Sequence, residues 1–196
     1  MKYGAVKNLK EELLSDNWYW LKKVTYQYQK EDGEWETQVR EVYDRGNGAA
    51  VLLYNTEDQS VVLTRQFRMP TFYNGNTDGM MVEACAGILE ENDPEKTILK
   101  EIEEETGYRV PALEKVFESY MSPGSVTEIL HFYLAEYSKD MKVNEGGGVA
   151  DETENIEVLE MPFQQAMDWI KEGKIKDAKT IMLLQHAALK QKLKWS

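Results

Sequence analysis

The sequence is poor in cysteine and has no long apolar run. Its one cysteine, Cys85, excludes an internal disulfide and a zinc cluster built on several cysteines. Apolar neighbours predict that this thiol is buried rather than nucleophilic. A membrane-spanning helix needs about 20 apolar residues, and the start of the chain lacks the apolar stretch of a secretion signal. We therefore expect a cytoplasmic protein with no membrane partner.

Positive charge is also scarce. The chain has 23 lysines and arginines against 35 aspartates and glutamates, which gives a net charge of −12. This charge disfavours non-specific binding to nucleic acid or to an anionic membrane. A carboxylate-rich surface also repels phosphate groups, unless divalent cations or a basic pocket reverse the local field. A metal site is therefore expected if the substrate is anionic.

The apolar residues, 42% of the chain, are patterned as in a folded domain. Strands are predicted over residues 18–28, 35–43, 49–54, 60–67, 81–85, 113–120, 129–137 and 156–160, and helices over 93–107, 163–172 and 177–194. Strands in runs with inserted helices predict an α+β fold. The Asp32-Gly33 turn joins the first two strands into a hairpin that stands partly outside the main core.

The first predicted helix carries signals at both ends. Asp93 suits the N-cap and Pro94 the first turn, while Gly107 suits the C-terminal cap. Ile98 and Ile102 lie about one turn apart, so both can face the core. The acidic residues of the helix are then left to face elsewhere.

Three of these acidic residues form a candidate metal site. Glu101 and Glu105 are four positions apart, so a helix places their carboxylates on one face, with Glu104 beside them. Like charges this close repel each other, and a hard divalent cation would remove the repulsion and gain oxygen ligands. The alternative is a solvated acidic face, which is common in a protein this negative.

The residues around this helix resemble the signature of the Nudix hydrolase family. That signature is a glycine, a glutamate, and then Arg-Glu-aliphatic-any-Glu-Glu-any-Gly-aliphatic. Here Gly87 supplies the glycine, and the matching helix positions are Glu101, Ile102, Glu104, Glu105 and Gly107. Lys100 stands at the arginine position and Tyr108 at the last aliphatic one. The spacing from Gly87 to Lys100 is one residue short, so the signature glutamate is missing or replaced by Asn92 or Asp93.

Further segments resemble the nucleotide-sugar branch of the family. They are residues 40–46, 65–68, 83–87, 121–124, 146–152 and 179–180. The resemblance implies a Nudix α/β/α sandwich with a mixed β-sheet over residues 46–196, and an N-terminal β-hairpin extension over residues 1–45 that exchanges into a partner subunit of a homodimer. It also implies hydrolysis of GDP-mannose, or a related nucleotide sugar, to a nucleoside monophosphate and a sugar 1-phosphate. ADP-ribose hydrolysis and a non-catalytic nucleotide-sugar sensor are the competing interpretations.

The same resemblance implies the metal ligands. Mg²⁺, with Mn²⁺ as a substitute, would be held by the backbone oxygen of Ala86 and the carboxylates of Glu101 and Glu105. Glu104 is expected to bind another ion, or else to face solvent. Three glycines precede a group of acidic residues, from which the family takes a metal ligand or a catalytic base. We expect Glu152 in that role, with Glu154 as its rival.

The resemblance also implies a set of substrate contacts. They are Trp18, Arg40, Glu41, Arg68, Ala86, Gly87, Glu128, Asp151 and Lys179. Several have ordinary structural alternatives. The two arginines could form ion pairs, and Glu128 could be a strand-edge carboxylate. Trp18 could pack against a partner subunit instead of stacking on the base, and Lys179 could be a surface lysine. His131 and His186 are expected to be structural.

Overall fold

The computed structural model describes residues 4–89, 93–149 and 155–195. Its contacts divide the chain into two compact units. The first contains the chain up to Asn47 together with Tyr120–Ile129, and the second contains Gly48–Ser119 and the chain from Leu130 onward. The return of residues 120–129 to the first unit was not anticipated by the division at residue 45, which stays a prediction.

The first unit is built on three antiparallel strands in the order β1-β2-β3. They are β1 (Val6–Ser15), β2 (Trp20–Gln29) and β3 (Trp35–Asp44). The β2–β3 hairpin confirms the predicted one, but β1 was missed because nearly all of its residues are exposed and no burial pattern marks it. The Tyr43 amide donates to the Ser125 carbonyl at 2.8 Å, and the Thr127 amide to the Tyr43 carbonyl at 3.1 Å, which ties residues 120–129 to β3.

The second unit is built on a mixed sheet. Its strands are β4 (Gly48–Asn55), β5 (Ser60–Phe67), β6 (Met80–Glu83), β7 (Cys85–Ile88), β8 (Glu114–Tyr120), β9 (Ile129–Glu136) and β10 (Glu157–Pro162). The main order is β10-β5-β4-β9-β8, with β6 paired to β5 and β7 to β4. The β4–β9 pair is parallel, while β4–β5, β5–β10 and β4–β7 are antiparallel. Every residue of β4 is buried, as its continuous apolar run requires.

Four α-helices complete the described chain. They are α1 (Met69–Tyr73), α2 (Pro94–Glu101), α3 (Phe163–Lys171) and α4 (Ala178–Leu189). A short 3₁₀ turn covers Lys139–Met141. Helix α1 has five residues and none of them is buried, so no helical periodicity could reveal it. Helix α4 ends at Leu189, earlier than predicted.

Helix α2 begins and ends where the sequence indicates. The Asp93 carboxylate accepts the Lys96 amide at 3.1 Å, and Pro94 occupies the first turn. After Glu101 the helix widens into a π-helical turn, Ile102–Thr106, which ends at Gly107 with φ of 79°. The sequence predicts a single α-helix here, because one extra residue in a turn changes the spacing of the apolar residues too little to be detected.

The core of the second unit lies where α2 meets the sheet. Ile98 and Ile102 are fully buried against the residues of β4 and β9, which include Val51, Leu53 and Tyr133. Helices α2 and α4 both contact β4. The α+β class, the mixed sheet and the N-terminal hairpin are therefore confirmed. No helix in the described ranges is long and apolar enough to span a membrane.

Candidate active site

The predicted metal-binding glutamates lie beside strand β7. Glu101 is the last residue of α2, and its carboxylate lies directly against the Cα of Gly87. A Cβ built at Gly87 would overlap that carboxylate. Ala86 and Gly87 pair with Ala50 and Ala49 of β4, so the β7 backbone is fixed by the sheet. The structure therefore brings three predicted site residues together.

Glu105 occupies the next turn and is buried, with 2% of its surface exposed. Its carboxylate lies close to the thiol of Cys85, the residue that precedes Ala86 in β7. Burial, together with the negative charge of Glu105, raises the pKa of the Cys85 thiol well above its ordinary value. Cys85 is itself fully buried, which confirms the predicted burial of this thiol.

Glu104 has different neighbours from Glu101 and Glu105. Its side chain is 30% exposed, and its carboxylate lies 3.6 Å from the Lys100 ammonium group. It lines a groove of about 480 Å³, together with Lys100, Glu103, Asn144, Gly146, Gly148 and Val149. Its neighbours therefore include a lysine that stands at the arginine position of the family signature.

The glycine segment, residues 146–148, caps the end of the π-helical turn. The Gly147 amide donates to the Glu105 carbonyl at 2.9 Å, and the Gly148 amide to the Glu104 carbonyl at 3.0 Å. These bonds satisfy carbonyls that a helix end leaves without a helical partner. Gly146 has φ of 69°, and a Cβ there would lie 2.5 Å from the Glu105 carbonyl oxygen. Both the backbone conformation and the close approach require glycine.

Several predicted residues lie outside the described part of the chain. They are Asn92 and the loop residues Asp151, Glu152 and Glu154. The described residues on either side of the loop are anchored close to the helix end, since Gly148 binds Glu104 and the Ile156 amide donates to the Gly147 carbonyl at 3.3 Å. The choice between Glu152 and Glu154 stays a prediction.

A buried carboxylate, Glu83, organises two of the predicted substrate contacts. Arg68 donates to it through Nε and Nη2, each at 2.9 Å, and Lys179 donates to its Oε2 at 2.7 Å. Lys179 also lies 3.1 Å from Asp177. Burial would raise the pKa of Glu83, but the hydrogen bonds and charges of Arg68 and Lys179 lower this pKa to about 2. Burial likewise opposes the charge of Lys179, whose pKa is nevertheless raised by Glu83 and Asp177.

Glu83 was not among the predicted site residues. The signal that could have found it is the acidic residue inside the otherwise apolar stretch Met80–Ala86, since a charge in a buried strand is rarely left without a partner. Arg68 contacts Glu83, which is the ion pair considered as its alternative role. Lys179 was weighed against an ordinary surface lysine, but its side chain is only 14% exposed and pairs with Glu83. Their contact with substrate stays a prediction.

The first unit contains its own group of predicted residues. A groove of about 530 Å³ is lined by residues of β2, β3 and 120–127, among them Arg40, Glu41 and Pro123. The Arg40 guanidinium donates to the Val39 carbonyl at 2.8 Å and to Gln38 Oε1 at 3.2 Å. These bonds hold the arginine along β3, at the edge of the groove.

Trp18 and Glu128 also belong to the first unit. Trp18 lies between β1 and β2 with 84% of its surface exposed. Glu128 is largely buried, with its side chain 14% exposed, and lies 3.6 Å from Nε of Arg45. Trp18 is therefore available to a partner, while Glu128 has an ion-pair neighbour within its own unit.

Tyr108, at the last aliphatic position of the family signature, fills an apolar site. It is 3% exposed, and its ring packs edge-on against Tyr137 with centroids 4.8 Å apart. Its hydroxyl reaches the border of the core and donates to Glu160 at 3.2 Å. Burial and the charge of Glu160 raise the pKa of Tyr108 to about 12. A tyrosine at this position therefore fills the core as an aliphatic residue would, and its hydroxyl adds a hydrogen bond to β10.

Metal-ligating side chains do not form a cluster in the described ranges. Among residues 4–89, 93–149 and 155–195, no group of three or more His, Cys, Asp or Glu side chains is placed to hold a metal ion. The donors brought together there are the carboxylates of Glu101 and Glu105 next to the β7 backbone at Ala86. They are all oxygen donors, which suits Mg²⁺ or Mn²⁺ and not a thiolate-bound metal.

Comparison with known proteins agrees with this arrangement. Residues 5–43 match the family model described as GDP-mannose pyrophosphatase NudK N-terminal domain, and residues 44–184 match the NUDIX domain. A solved structure described as an ADP compounds hydrolase superposes with a TM-score of 0.72 at 16% identity, covering 98% of this chain and 96% of that one. At that identity the likeness supports the fold alone.

Closely similar sequences are found among enterobacterial proteins. A protein named GDP-mannose pyrophosphatase from Cronobacter sakazakii is 57% identical over 185 residues, which are 94% of this chain and 96% of that protein. One of the same name from Escherichia coli strain K12 is 54% identical over 178 residues, 91% and 92% of the two chains. With a matching domain that covers most of the sequence, and relatives this similar along nearly their whole length, the chain belongs to the Nudix family.

Proposed function

We propose that the chain hydrolyses the diphosphate bond of GDP-mannose and releases GMP and mannose 1-phosphate. The observation that carries this proposal is the Glu101 carboxylate against Gly87, with Glu105 buried in the following turn. The names of relatives more than half identical to the chain support the choice of substrate. ADP-ribose is the nearest alternative substrate.

The donor atoms fit a divalent cation. Glu101, Glu105 and the backbone oxygen of Ala86 would hold Mg²⁺, and the absence of a side chain at Gly87 leaves room for Glu101 beside the strand. Octahedral Mg²⁺ keeps several waters when proteins bind it, so few protein ligands are needed. When bound, the ion supplies charge neutralisation at the diphosphate and activation of the attacking water. We propose Glu152, with Glu154 as its rival, as the further carboxylate.

Two cationic residues of the second unit, Arg68 and Lys179, are suited to bind the diphosphate. The side chains of Arg68 and Lys179 meet at Glu83, and both stay protonated because their carboxylate neighbours raise their pKa values. Guanidinium groups bind phosphate through paired hydrogen bonds. We propose that these two residues grip the diphosphate, and that Trp18, Arg40, Glu41 and Glu128 contact the remainder of the nucleotide sugar.

A substrate panel tests the proposal directly. Purified protein with Mg²⁺ should release GMP and mannose 1-phosphate from GDP-mannose faster than it cleaves ADP-ribose or other nucleotide sugars. Products are identified by chromatography against standards. Faster cleavage of ADP-ribose would replace the proposed substrate, and no turnover across the panel would leave the non-catalytic sensor as the better interpretation.

One substitution tests the metal site. Glu105→Gln keeps the shape of the side chain and removes the charge, so turnover should fall by at least about 100-fold. Glu103→Gln is the matched control. It lies in the same π-helical turn, but its carboxylate pairs with Arg109 at 2.7 Å. Near-normal activity of the Glu105 variant, or equal losses in both, would refute the proposed ligand set.

We also propose a homodimer in the cytoplasm. Strand β1 is exposed along nearly its whole length, although it carries four large apolar side chains: Val6, Leu9, Leu13 and Leu14. Apolar surface of this kind on an edge strand is usually covered by a partner. Exchange of the N-terminal hairpin between two copies would cover it.

A further inference from the structure

Both oxygens of the Glu83 carboxylate accept hydrogen bonds from cationic side chains. Arg68 uses two nitrogens on it, one on each oxygen, and Lys179 shares the second oxygen. The Glu83 side chain is 5% exposed and that of Lys179 is 14% exposed, but the Arg68 side chain is 42% exposed. Glu83 and Lys179 are therefore buried, and the side chain of Arg68 extends to the surface of the protein.

We propose that Glu83 is a positioning residue, which holds the Arg68 guanidinium and the Lys179 ammonium side by side as one preformed site for the substrate's diphosphate. This inference rests on the proposed function above. Glu83 itself would not touch the substrate. It acts through the two cations that it orients.

The donors that Glu83 leaves unused are of the kind a diphosphate needs. Arg68 engages Glu83 with Nε and Nη2, so Nη1 takes no part in that pair. Lys179 has three ammonium protons and contacts two carboxylates, Glu83 and Asp177. Because the two cationic groups share Glu83 Oε2, their remaining donors lie near each other. Two neighbouring donors of positive charge match two neighbouring phosphate groups.

A second chain of bonds makes the position of Lys179 rigid. Asp177 caps helix α4 and accepts the Thr180 amide at 3.0 Å. The Thr180 hydroxyl in turn accepts the Ala84 amide at 2.6 Å. Since Ala84 follows Glu83 directly, a closed ring links the β6–β7 junction to the start of α4. Order fixed during folding does not have to be gained on binding, which favours affinity.

A purely structural ion pair would have a different design. Buried ion pairs add little net stability because desolvation opposes their attraction, and apolar residues of similar volume often replace them without loss. Here one carboxylate gathers two cations that would otherwise repel each other, and one of these cations is half-exposed. Burying this group of charges adds little to the stability of the fold, but it provides a preformed site for an anion.

The test is the split between KM and kcat in Glu83→Gln. Without Glu83, Arg68 and Lys179 are less well ordered, and they bind the diphosphate more weakly in both the ground state and the transition state. KM for GDP-mannose should therefore rise by about tenfold, while kcat changes by less than about twofold. Glu83→Asp keeps the charge and should recover part of the affinity. Both variants are assayed well below their melting temperatures. Unchanged KM in folded Glu83→Gln, or a loss confined to kcat, would overturn the proposal.

The matched control is Glu114→Gln. It also removes a carboxylate from a lysine pair in the second unit, Lys192 at 2.8 Å, and should leave KM and kcat unchanged. A KM increase equal to that of Glu83→Gln would show a general charge effect and overturn the positioning role.

A double-mutant cycle covers the case in which Glu83→Gln fails to fold. Arg68→Ala and Lys179→Ala are measured singly and together. If Glu83 makes them one unit, the KM increase of the double variant falls well short of the product of the single increases. A full product would overturn the proposal. Failure of the proposed function is seen separately, as wild-type protein that does not turn over GDP-mannose.

Discussion

At the scale of single residues, the contact of Gly87 with Glu101 decides what the site can tolerate. The Gly87 backbone does not adopt the left-handed conformation that favours glycine, so its conformation alone would accept another residue. What excludes a side chain is the Glu101 carboxylate that lies against its Cα. Gly87, the glycine of the family signature, is therefore needed because it leaves space for the carboxylate of Glu101.

Gly87→Ala should accordingly displace Glu101 and reduce activity. We expect kcat to fall by at least about tenfold, which corresponds to about 1.4 kcal/mol of transition-state stabilisation. Activity and melting temperature are measured together. Gly124→Ala adds the same methyl group where nothing lies within 4 Å, and serves as the stability control. A Gly87 variant with wild-type kcat would show that the Glu101 position is not critical.

The folded pKa of Glu83 predicts a loss of stability in acid. It is lowered from the ordinary value of 4.5 to about 2, so the stabilisation is present above 4.5 and is lost as the pH falls toward 2. Between about pH 6 and about pH 3, this group alone should remove about 2 kcal/mol from the free energy of unfolding.

Urea denaturation at these two pH values measures that loss. Glu83→Gln cannot titrate, so the difference in its unfolding free energy between the two pH values should be smaller by the same amount. Equal acid sensitivity in wild type and variant would show that Glu83 is not held as an anion in the folded protein.

Sequence reasoning at this scale succeeded where a pattern was linear. Helical spacing puts Glu101 and Glu105 on one face, the family resemblance implies that they bind metal, and the structure places both beside β7. Glu83 could not be found in the same way, because its partners come from the end of β5 and the start of α4. Contacts between residues this far apart in sequence leave no periodic signal.

At the scale of elements, the π-helical turn and the glycine segment form one structure. The turn ends at Gly107, and the glycine segment returns to bind the carbonyls of Glu104 and Glu105. Single π-turns inside helices often mark functional sites. The sequence predicted the helix, its caps and its buried face. It could not predict the wide turn, because the bonds that complete it come from residues about forty positions later.

This capping makes Gly146 and Gly173 a matched pair for substitution. Both have φ near 70°, but a Cβ at Gly146 meets the Glu105 carbonyl at 2.5 Å, while one at Gly173 meets its nearest neighbour at 3.7 Å. Gly173→Ala should cost about 1 kcal/mol for backbone strain. Gly146→Ala should cost about 3 kcal/mol, because the overlap adds to the strain.

Urea denaturation gives both values, and a kcat assay shows the consequence for the site. The Gly146 variant should lose activity because the carbonyls of Glu104 and Glu105 lose their partners, whereas the Gly173 variant should retain it. Equal destabilisation of the two variants would mean that the glycine segment does not press against the helix end as described.

At the scale of the whole molecule, the sequence predicted the class of fold but not its complete division. The runs of strands with inserted helices predicted the α+β class, and the family resemblance implied the mixed sheet. Buried strands such as β4 could be predicted because their sequences are continuously apolar. Strand β1 was not predicted because both of its faces are exposed, so its sequence lacks the alternation of apolar and polar residues that indicates a strand. The return of residues 120–129 to the first unit depends on backbone bonds to Tyr43, which no sequence pattern shows.

The exposed side chains of β1 predict the assembly state. Leu9 is 55% exposed and Leu13 54% exposed. If a second copy covers them, Leu9→Glu with Leu13→Glu should convert a dimer into a monomer, because charges would be buried at the interface. Sedimentation velocity measures both proteins. The control replaces Lys10 by Glu on the same strand. A monomeric wild type would refute the dimer.

The buried position of Cys85 has a practical consequence. The protein has one cysteine, and it is both inaccessible and held in its protonated form. Thiol reagents attack the thiolate, so the folded chain offers them almost no target. A second cysteine placed at an exposed position, such as Tyr73, could therefore be labelled selectively with a fluorophore. In unlabelled protein, slow modification of Cys85 would report each opening of the structure between β7 and the helix that carries Glu105.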